Sequence, residues 1–367
     1  MSLRRAVLLI NLGSPVSTSI WDVRRYLNEF LMDSRVIDYP WILRRLIVGL
    51  FVLPFRPYKT AAAYKRVWLE EGSPLLATSK GLQKALAKLI ELPVYLGMRY
   101  SEPSTRATLE LIRHEQEGKI DDVLLIPLYP HYAMSSYESV VVKVREELDK
   151  MKWPVTLTVL PPFYKDPLYV KALEESIRPH LEKPYDHVLF SYHGVPERHL
   201  KKGDCTKAHC AIRENCCEVP SAVHDVCYRH QSVETTKMMA ARLGMPEGKF
   251  SSSFQSRFGK EVWCEPYTDE ELVRLAKSGV KHLVVLCPAF VSDCLETLEE
   301  IGMEGKHEFL EHGGESFTLV PCLNTHPLFV EALAHWSKEF AAPKAGVGMR
   351  GSLKGIDTTL QREDDRQ

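Results

Sequence analysis

Pro167-Leu-Tyr-Val-Lys-Ala-Leu173 returns 160 residues further on as Pro327-Leu-Phe-Val-Glu-Ala-Leu333, each copy six residues after another proline, Pro161 or Pro321. A second pair keeps the same order, since Leu12-Gly13-Ser14-Pro15 has the shape of His193-Gly194-Val195-Pro196. Two matches in one order point to an internal duplication. Around them, short apolar runs end in Gly or Pro turns and alternate with stretches of helical pattern. That alternation marks βαβ units and a parallel sheet. Strands are expected near residues 6–11, 94–98, 123–128 and 155–160, and again near 187–192, 250–255, 282–287 and 317–320. The expected fold is α/β: two similar doubly wound domains, each with a parallel four-stranded sheet, with a cleft between them. The first domain is expected to span residues 1–160 and the second 161–342, with a polar tail over 343–367 whose few apolar residues predict disorder.

The bulk numbers suit such a chain. Its 367 residues are 45% hydrophobic and 26% charged, with a formal net charge of −1, which gives no global reason to bind nucleic acid. No secretory signal is evident, so the chain reads as cytoplasmic. The longest apolar stretch, residues 41–54, carries Arg44 and Arg45 and is too short to span a bilayer. It reads either as an apolar lip with shallow membrane contact or as a buried helix. No Walker loop and no serine–histidine–aspartate signature in motif context appears.

In doubly wound folds the loops at the carboxyl ends of strands carry the ligand chemistry. Asn11, His193, Gln255 and the segment after Pro288 fall there. His193 ends an apolar strand on a tight turn, where a neutral imidazole can take a proton or bind a divalent metal. The competing reading is a histidine that bonds the loop backbone. A helix beginning near Ser292 would put Asp293, Glu296 and Glu300 on one face, three carboxylates fit to pass a hard divalent cation and to hold released protons. The competing reading is a capping box, Asp293 with Glu296. Tyr267-Thr-Asp-Glu-Glu271 reads as a plain helix start of that kind. Ser251-Ser-Ser-Phe-Gln-Ser-Arg-Phe-Gly259 with Trp263 offers polar and aromatic groups to a flat, carboxylate-bearing ligand, with Ser253 and Gln255 among them. Arg99-Tyr100 and Tyr129-Pro-His-Tyr132 are similar candidates from the first half.

Taken together, Leu9-Ile-Asn-Leu-Gly-Ser-Pro15, Glu71-Gly-Ser-Pro-Leu75, Ser191-Tyr-His-Gly-Val-Pro196, Phe254-Gln-Ser-Arg-Phe-Gly259 and Asp293-Cys-Leu-Glu-Thr-Leu-Glu-Glu300 resemble the ferrochelatase family, in order and over most of the chain. The resemblance implies a chelatase-like, Rossmann-type fold and insertion of Fe2+ into protoporphyrin IX, the last step of haem biosynthesis. It places His193 and Glu296 as iron-binding and catalytic residues on opposite sides of the cleft, with Asp293 and Glu300 as an acidic path. Asn11, Arg99, Tyr100, Tyr129, Ser253, Gln255 and Trp263 become porphyrin contacts, and residues 41–54 a lip over the porphyrin, which favours peripheral membrane contact. Rival readings are a chelatase for coproporphyrin III or for cobalt, and a non-catalytic porphyrin or haem carrier. The oligomeric state is left open.

One segment departs from the family. Five of nine cysteines (Cys205, Cys210, Cys216, Cys217, Cys227) fall within the 23 residues 205–227, where many relatives run directly from a Gly-Asp turn to a Tyr. Some family members carry a [2Fe–2S] cluster in such an internal loop, and four thiolates are what that cluster needs. The expected ligands are Cys205, Cys210, Cys217 and Cys227, with Cys216 as alternative to Cys217. Zinc would take the same four, with His209 or His224 as substitutes. Cys264, Cys287, Cys294 and Cys322 lie in apolar or strand contexts and read as structural.

Overall fold

The computed structural model describes residues 4–210, 215–259 and 261–342. The expected disordered tail over 343–367 and part of the cysteine-rich loop, 211–214, lie outside the described residues. Strands β1 (Arg5–Asn11), β2 (Val94–Met98), β3 (Asp122–Pro127) and β4 (Thr156–Val159) form one parallel sheet in the order β2-β1-β3-β4. Strands β5 (His187–His193), β6 (Phe250–Gln255), β7 (His282–Leu286) and β8 (Ser316–Leu319) form a second in the order β6-β5-β7-β8. All eight fall where the apolar runs put them, and the second order repeats the first.

The repeat extends to local bonding. Past β2, the Met98 N–H donates to the Pro103 carbonyl at 2.7 Å, and at the same point of β6 Phe254 N–H donates to Pro266 at 2.8 Å. The central strands β1 and β5 are buried on both faces, which is why they read as continuous apolar runs rather than alternating ones. Small polar residues start the helices: Ser19, Ser73, Ser104 and Asp166 each accept a backbone N–H of the first turn.

The described residues divide into two compact units. One holds those within Met1–Leu128, Met134–Pro161 and Val330–Gln367, the other those within Tyr129–Ala133 and Pro162–Phe329. The first unit's middle segment ends at Pro161, and the last helix, Pro327–Ala341, falls mostly to that unit. There Arg5 donates to the Ala341 carbonyl at 2.5 Å and lies over the Phe340 ring. In the second unit Leu189, Leu272, Leu275, Leu283, Val285 and Phe309 pack in one core cluster.

The stretch 41–54 is not a buried helix. It forms a short α-helix, Trp41–Leu46, running into a π-helix, Ile47–Val52. Its polarity is inverted: Phe51 is 72% and Ile42 68% exposed, while Arg44 is only 7% exposed. The Arg44 guanidinium donates to the carbonyls of Ile37 (3.2 Å) and Tyr39 (2.9 Å). Exposed Trp21, Leu50 and Phe55 add to the apolar surface of this unit. Among the described residues no helix is long and apolar enough to cross a membrane.

Candidate active site

His193 is the last residue of β5 and pairs with Gln255, the last of β6. The turn after it is tight, with Gly194 N–H donating to the Gln255 carbonyl at 2.7 Å. A Cβ at position 194 would lie 2.9 Å from that carbonyl oxygen and 3.2 Å from the Trp263 ring, so the turn admits only glycine without a shift. His193 Nδ1 lies 2.7 Å from the Gly194 carbonyl. A carbonyl only accepts, so Nδ1 carries a proton, and in the neutral ring the lone pair is on Nε2. The backbone-bonding and the reactive readings of this histidine are thus compatible. Phe290 sits against the imidazole at a ring distance of 6.3 Å.

Glu296 and Glu300 share a π-helix, Glu296–Gly305. Gln255 ties it to the strands: its Nε2 donates to the Glu296 carbonyl at 2.9 Å, and its Oε1 accepts from the Ser191 hydroxyl at 2.7 Å. The Ser256 hydroxyl donates to Glu300. Burial, joined by the charge of Glu296, holds the Glu300 carboxyl above its ordinary range, against the opposing pull of Ser256 and His193. His193, Glu296 and Glu300 are thereby brought together in one unit.

Asp293 corrects the expectation. The helix begins at Glu296, not near Ser292, and Asp293 lies ahead of it, off the shared face. Its carboxylate accepts from the Thr297 hydroxyl (3.2 Å), the Cys322 N–H (3.2 Å) and the Asn324 amide (2.6 Å). The capping-box reading fails as well, because the Thr297 hydroxyl accepts the Cys294 N–H at 3.0 Å. The helix Thr268–Lys277 likewise starts at Tyr267 with no side-chain cap, and the Thr268 hydroxyl instead meets Ser253 and Ser191.

The expected porphyrin contacts divide in two. Ser253 is fully buried, and Tyr100, Gln255 and Asn11 are at most 4% exposed, so they brace the strand ends rather than offer surface. Asn11 bonds Ser79 at 3.1 Å and the Leu12 N–H at 2.8 Å. Tyr100 donates to Asp33 at 2.8 Å, and Arg99 spends its guanidinium on Asp33 and Ser139. Burial pushes the Asp33 carboxyl up, but Arg99 and the Ser139, Arg35 and Tyr100 hydrogen bonds outweigh it and hold the group low. Tyr129 and Trp263 are half-buried and keep free surface. Phe290, Ser256 and Asn324 were not singled out in the sequence; an aromatic two residues past a strand-ending proline was the available signal for the first.

In the cysteine-rich loop Asp204 accepts from the N–H groups of Thr206, His209 and Cys210, each at 2.8 Å. Cys210 and Cys227 are buried with sulfurs 3.7 Å apart. The Cys217 thiol bonds that of Cys227, which pushes Cys217 up, and the contact with Cys210 is the first cause that pushes Cys227 up to about 12. Cys205 is exposed, whereas Cys216 is buried. Among the described residues no group of three or more His, Cys, Asp or Glu side chains is arranged to hold a metal ion. Cys264, Cys287 and Cys294 are buried.

A duplicated parallel frame with an imidazole at one strand end and two carboxylates on the helix after a neighbouring strand defines a protein of the chelatase class. Its fold is similar to that of SirB from Bacillus subtilis with Fe3+, with a TM-score of 0.52 at 13% identity over 93% of this chain and 96% of that one. The ferrochelatase family model matches residues 4–340. The chain is 52% identical over 334 residues to a ferrochelatase of Opitutus terrae, covering 90% of this chain and 96% of the relative. It is 51% identical over 331 residues to one of Pseudomonas fluorescens, covering 90% and 96%. The chain belongs to the ferrochelatase family, metal-inserting enzymes of haem synthesis whose substrates are a porphyrin and Fe2+.

Proposed function

We propose that the porphyrin is protoporphyrin IX and that His193 and Glu296 carry the insertion, in a cytoplasmic enzyme that touches the membrane surface. The observation behind the reading is that His193 spends Nδ1 on the Gly194 carbonyl, leaving Nε2 as its outward atom, within electrostatic reach of Glu300 and its neighbour Glu296. Insertion breaks two pyrrole N–H bonds, binds iron to the ring nitrogens and releases two protons. His193 Nε2 takes a proton on one face of the macrocycle. Glu296 holds Fe2+ on the other face, and the Glu300 carboxylate, made more basic than an ordinary one by burial, takes the second proton and passes it out. Asp293 fixes the turn ahead of them. Trp263, Tyr129 and Phe290 meet the ring faces.

The exposed apolar lip supports the membrane contact: charged Arg44 is turned inward and the large apolar side chains outward. For the cysteine loop, the proposed group is a [2Fe–2S] cluster held by Cys205, Cys210, Cys217 and Cys227, zinc being the alternative. The mutual thiol contacts of Cys210, Cys217 and Cys227 support three of the four. Such a cluster supplies one-electron chemistry, and no step of the insertion depends on it. Charge-transfer bands in the visible spectrum of purified protein are expected; a colourless protein containing zinc would overturn the cluster.

The test of the insertion is anaerobic mixing of the protein with Fe2+ and protoporphyrin IX, followed by growth of haem absorption. His193→Ala is expected to lower turnover at least about a hundredfold while porphyrin binding persists; retained turnover refutes the role. The second reading, another tetrapyrrole or metal, is favoured by the likeness in fold to a sirohydrochlorin chelatase in complex with cobalt, at a TM-score of 0.50. Faster insertion of Co2+, or into coproporphyrin III, would select it.

A further inference from the structure

Beside the thiols of the cysteine loop, a second set of donor atoms converges that uses no sulfur. His209 Nε2 lies 3.2 Å from His224 Nε2, and the two nitrogens lie 2.7 Å and 3.0 Å from one backbone oxygen, the Cys216 carbonyl. His209 is buried, while His224 is only half-buried and leaves one side open. Each partner is held from behind. The backbone N–H of His209 is fixed by Asp204 at 2.8 Å, and the His224 ring stacks on His230 at 3.5 Å. His230 Nδ1 in turn donates to the Cys217 carbonyl at 2.8 Å, which anchors the peptide next to the Cys216 oxygen.

Three electron-pair donors aimed at one point need something positive between them. Two Nε2 protons aimed at the carbonyl satisfy the set, but they bring the two nitrogens side by side with like partial charges. A single divalent ion satisfies all three donors at once. Donor atoms about 2.0–2.1 Å from a first-row ion stand roughly 2.9–3.4 Å apart across the edges of an octahedron or tetrahedron. The 3.2 Å and 3.0 Å separations fall in that range and the 2.7 Å one just below it. Imidazole nitrogen with carbonyl oxygen is a donor set for borderline divalent ions such as Zn2+, Co2+ or Ni2+.

We propose that His209 Nε2, His224 Nε2 and the Cys216 carbonyl form a divalent-metal site separate from the thiols, with water completing the coordination on the open side. Each imidazole binds as the neutral Nδ1–H tautomer. Fewer than three side chains take part, so the site is a weak, exchangeable one. Its effect is to latch the turn after Asp204 to the 3-10 helix Ala222–Val226 and so close the cysteine loop.

Co2+ titration of the full-length protein tests this, because cobalt reports its ligands in the visible spectrum. In a protein with Cys210, Cys217 and Cys227 changed to Ser, one equivalent of Co2+ is expected to give weak d–d bands with no sulfur-to-cobalt charge transfer. Adding His209→Ala or His224→Ala is expected to weaken that binding at least about tenfold, with His230→Ala milder. Should the triple variant fail to fold, the difference between unaltered protein and His224→Ala is read instead, and it must show d–d bands without charge transfer. Equal affinity with and without the two histidines, or no binding by a folded protein, overturns the site. The colour of the protein as purified reports the iron–sulfur reading separately, so either idea can fail alone.

Discussion

A side chain's chemistry here depends on which of its atoms are already spent. His193 spends Nδ1 on the Gly194 carbonyl, which orients the ring and leaves Nε2 for the proposed proton transfer. Asp293 spends its oxygens on Thr297, Cys322 and Asn324, which removes it from the set of open carboxylates. Glu300 stands between these extremes, held by Ser256 yet pushed toward its protonated form by burial. Glu300→Gln keeps an acceptor for Ser256 and removes the proton site. Haem formation is expected to fall at least about a hundredfold while quenching of porphyrin fluorescence on binding stays unchanged. A variant with full turnover would show that Glu300 carries no proton.

Among the elements, the apolar lip and the glutamate helix both departed from regular α-helix. Residues 41–54 had two readings in the sequence, because periodicity reports which residues are apolar but not which way they face. The inward turn of Arg44 excluded the buried helix. Leu50 and Phe51 are expected to bury about 1.5–3 kcal/mol each in an apolar phase. Changing both to Ser should lower partitioning onto neutral vesicles by roughly a hundredfold at least, with an unaltered thermal melt, since neither side chain supports the core. Undiminished co-sedimentation would refute the proposed membrane contact. The glutamate helix was legible as a helix after a strand but not in its starting point. A start near Ser292 satisfied the spacing of three acids, whereas the fold uses Asp293 to hold the Cys322 and Asn324 loop.

At the scale of the molecule, burying polar groups sets the response to acid. His131 is 2% exposed, ringed by Tyr164, Tyr192 and Tyr228, and its Nε2 meets the Thr235 hydroxyl at 2.9 Å. Burial pushes its imidazole down to about 3. The folded chain therefore keeps His131 neutral while the unfolded chain takes up a proton below the ordinary value of 6.5. Between those two values the unfolded state binds the extra proton, so stability present above 6.5 is lost as pH falls, by about 1.4 kcal/mol per pH unit. His131→Gln keeps a partner for Thr235 and removes the titration. The slope of unfolding free energy between about pH 6 and pH 4 should become shallower by one proton's worth; an unchanged slope would mean that other groups set the acid limit.

The eight strands, their alternation with helices and the duplication were decided by the sequence itself. Buried parallel strands must be continuous apolar runs, and the turns that follow them must be Gly or Pro. The same locality made His193 and Glu296 visible, since one ends a strand and the other opens the helix that follows a strand. What each polar group does was settled only by tertiary structure, because a hydrogen bond depends on a partner distant in the chain. Ser253 meets Thr268, Arg99 meets Asp33, and Gln255 meets Glu296. Spacing along the sequence carries no record of those meetings. It therefore marked Ser253, Tyr100 and Asn11 as polar groups at strand ends without showing that each is buried and bonded within the fold.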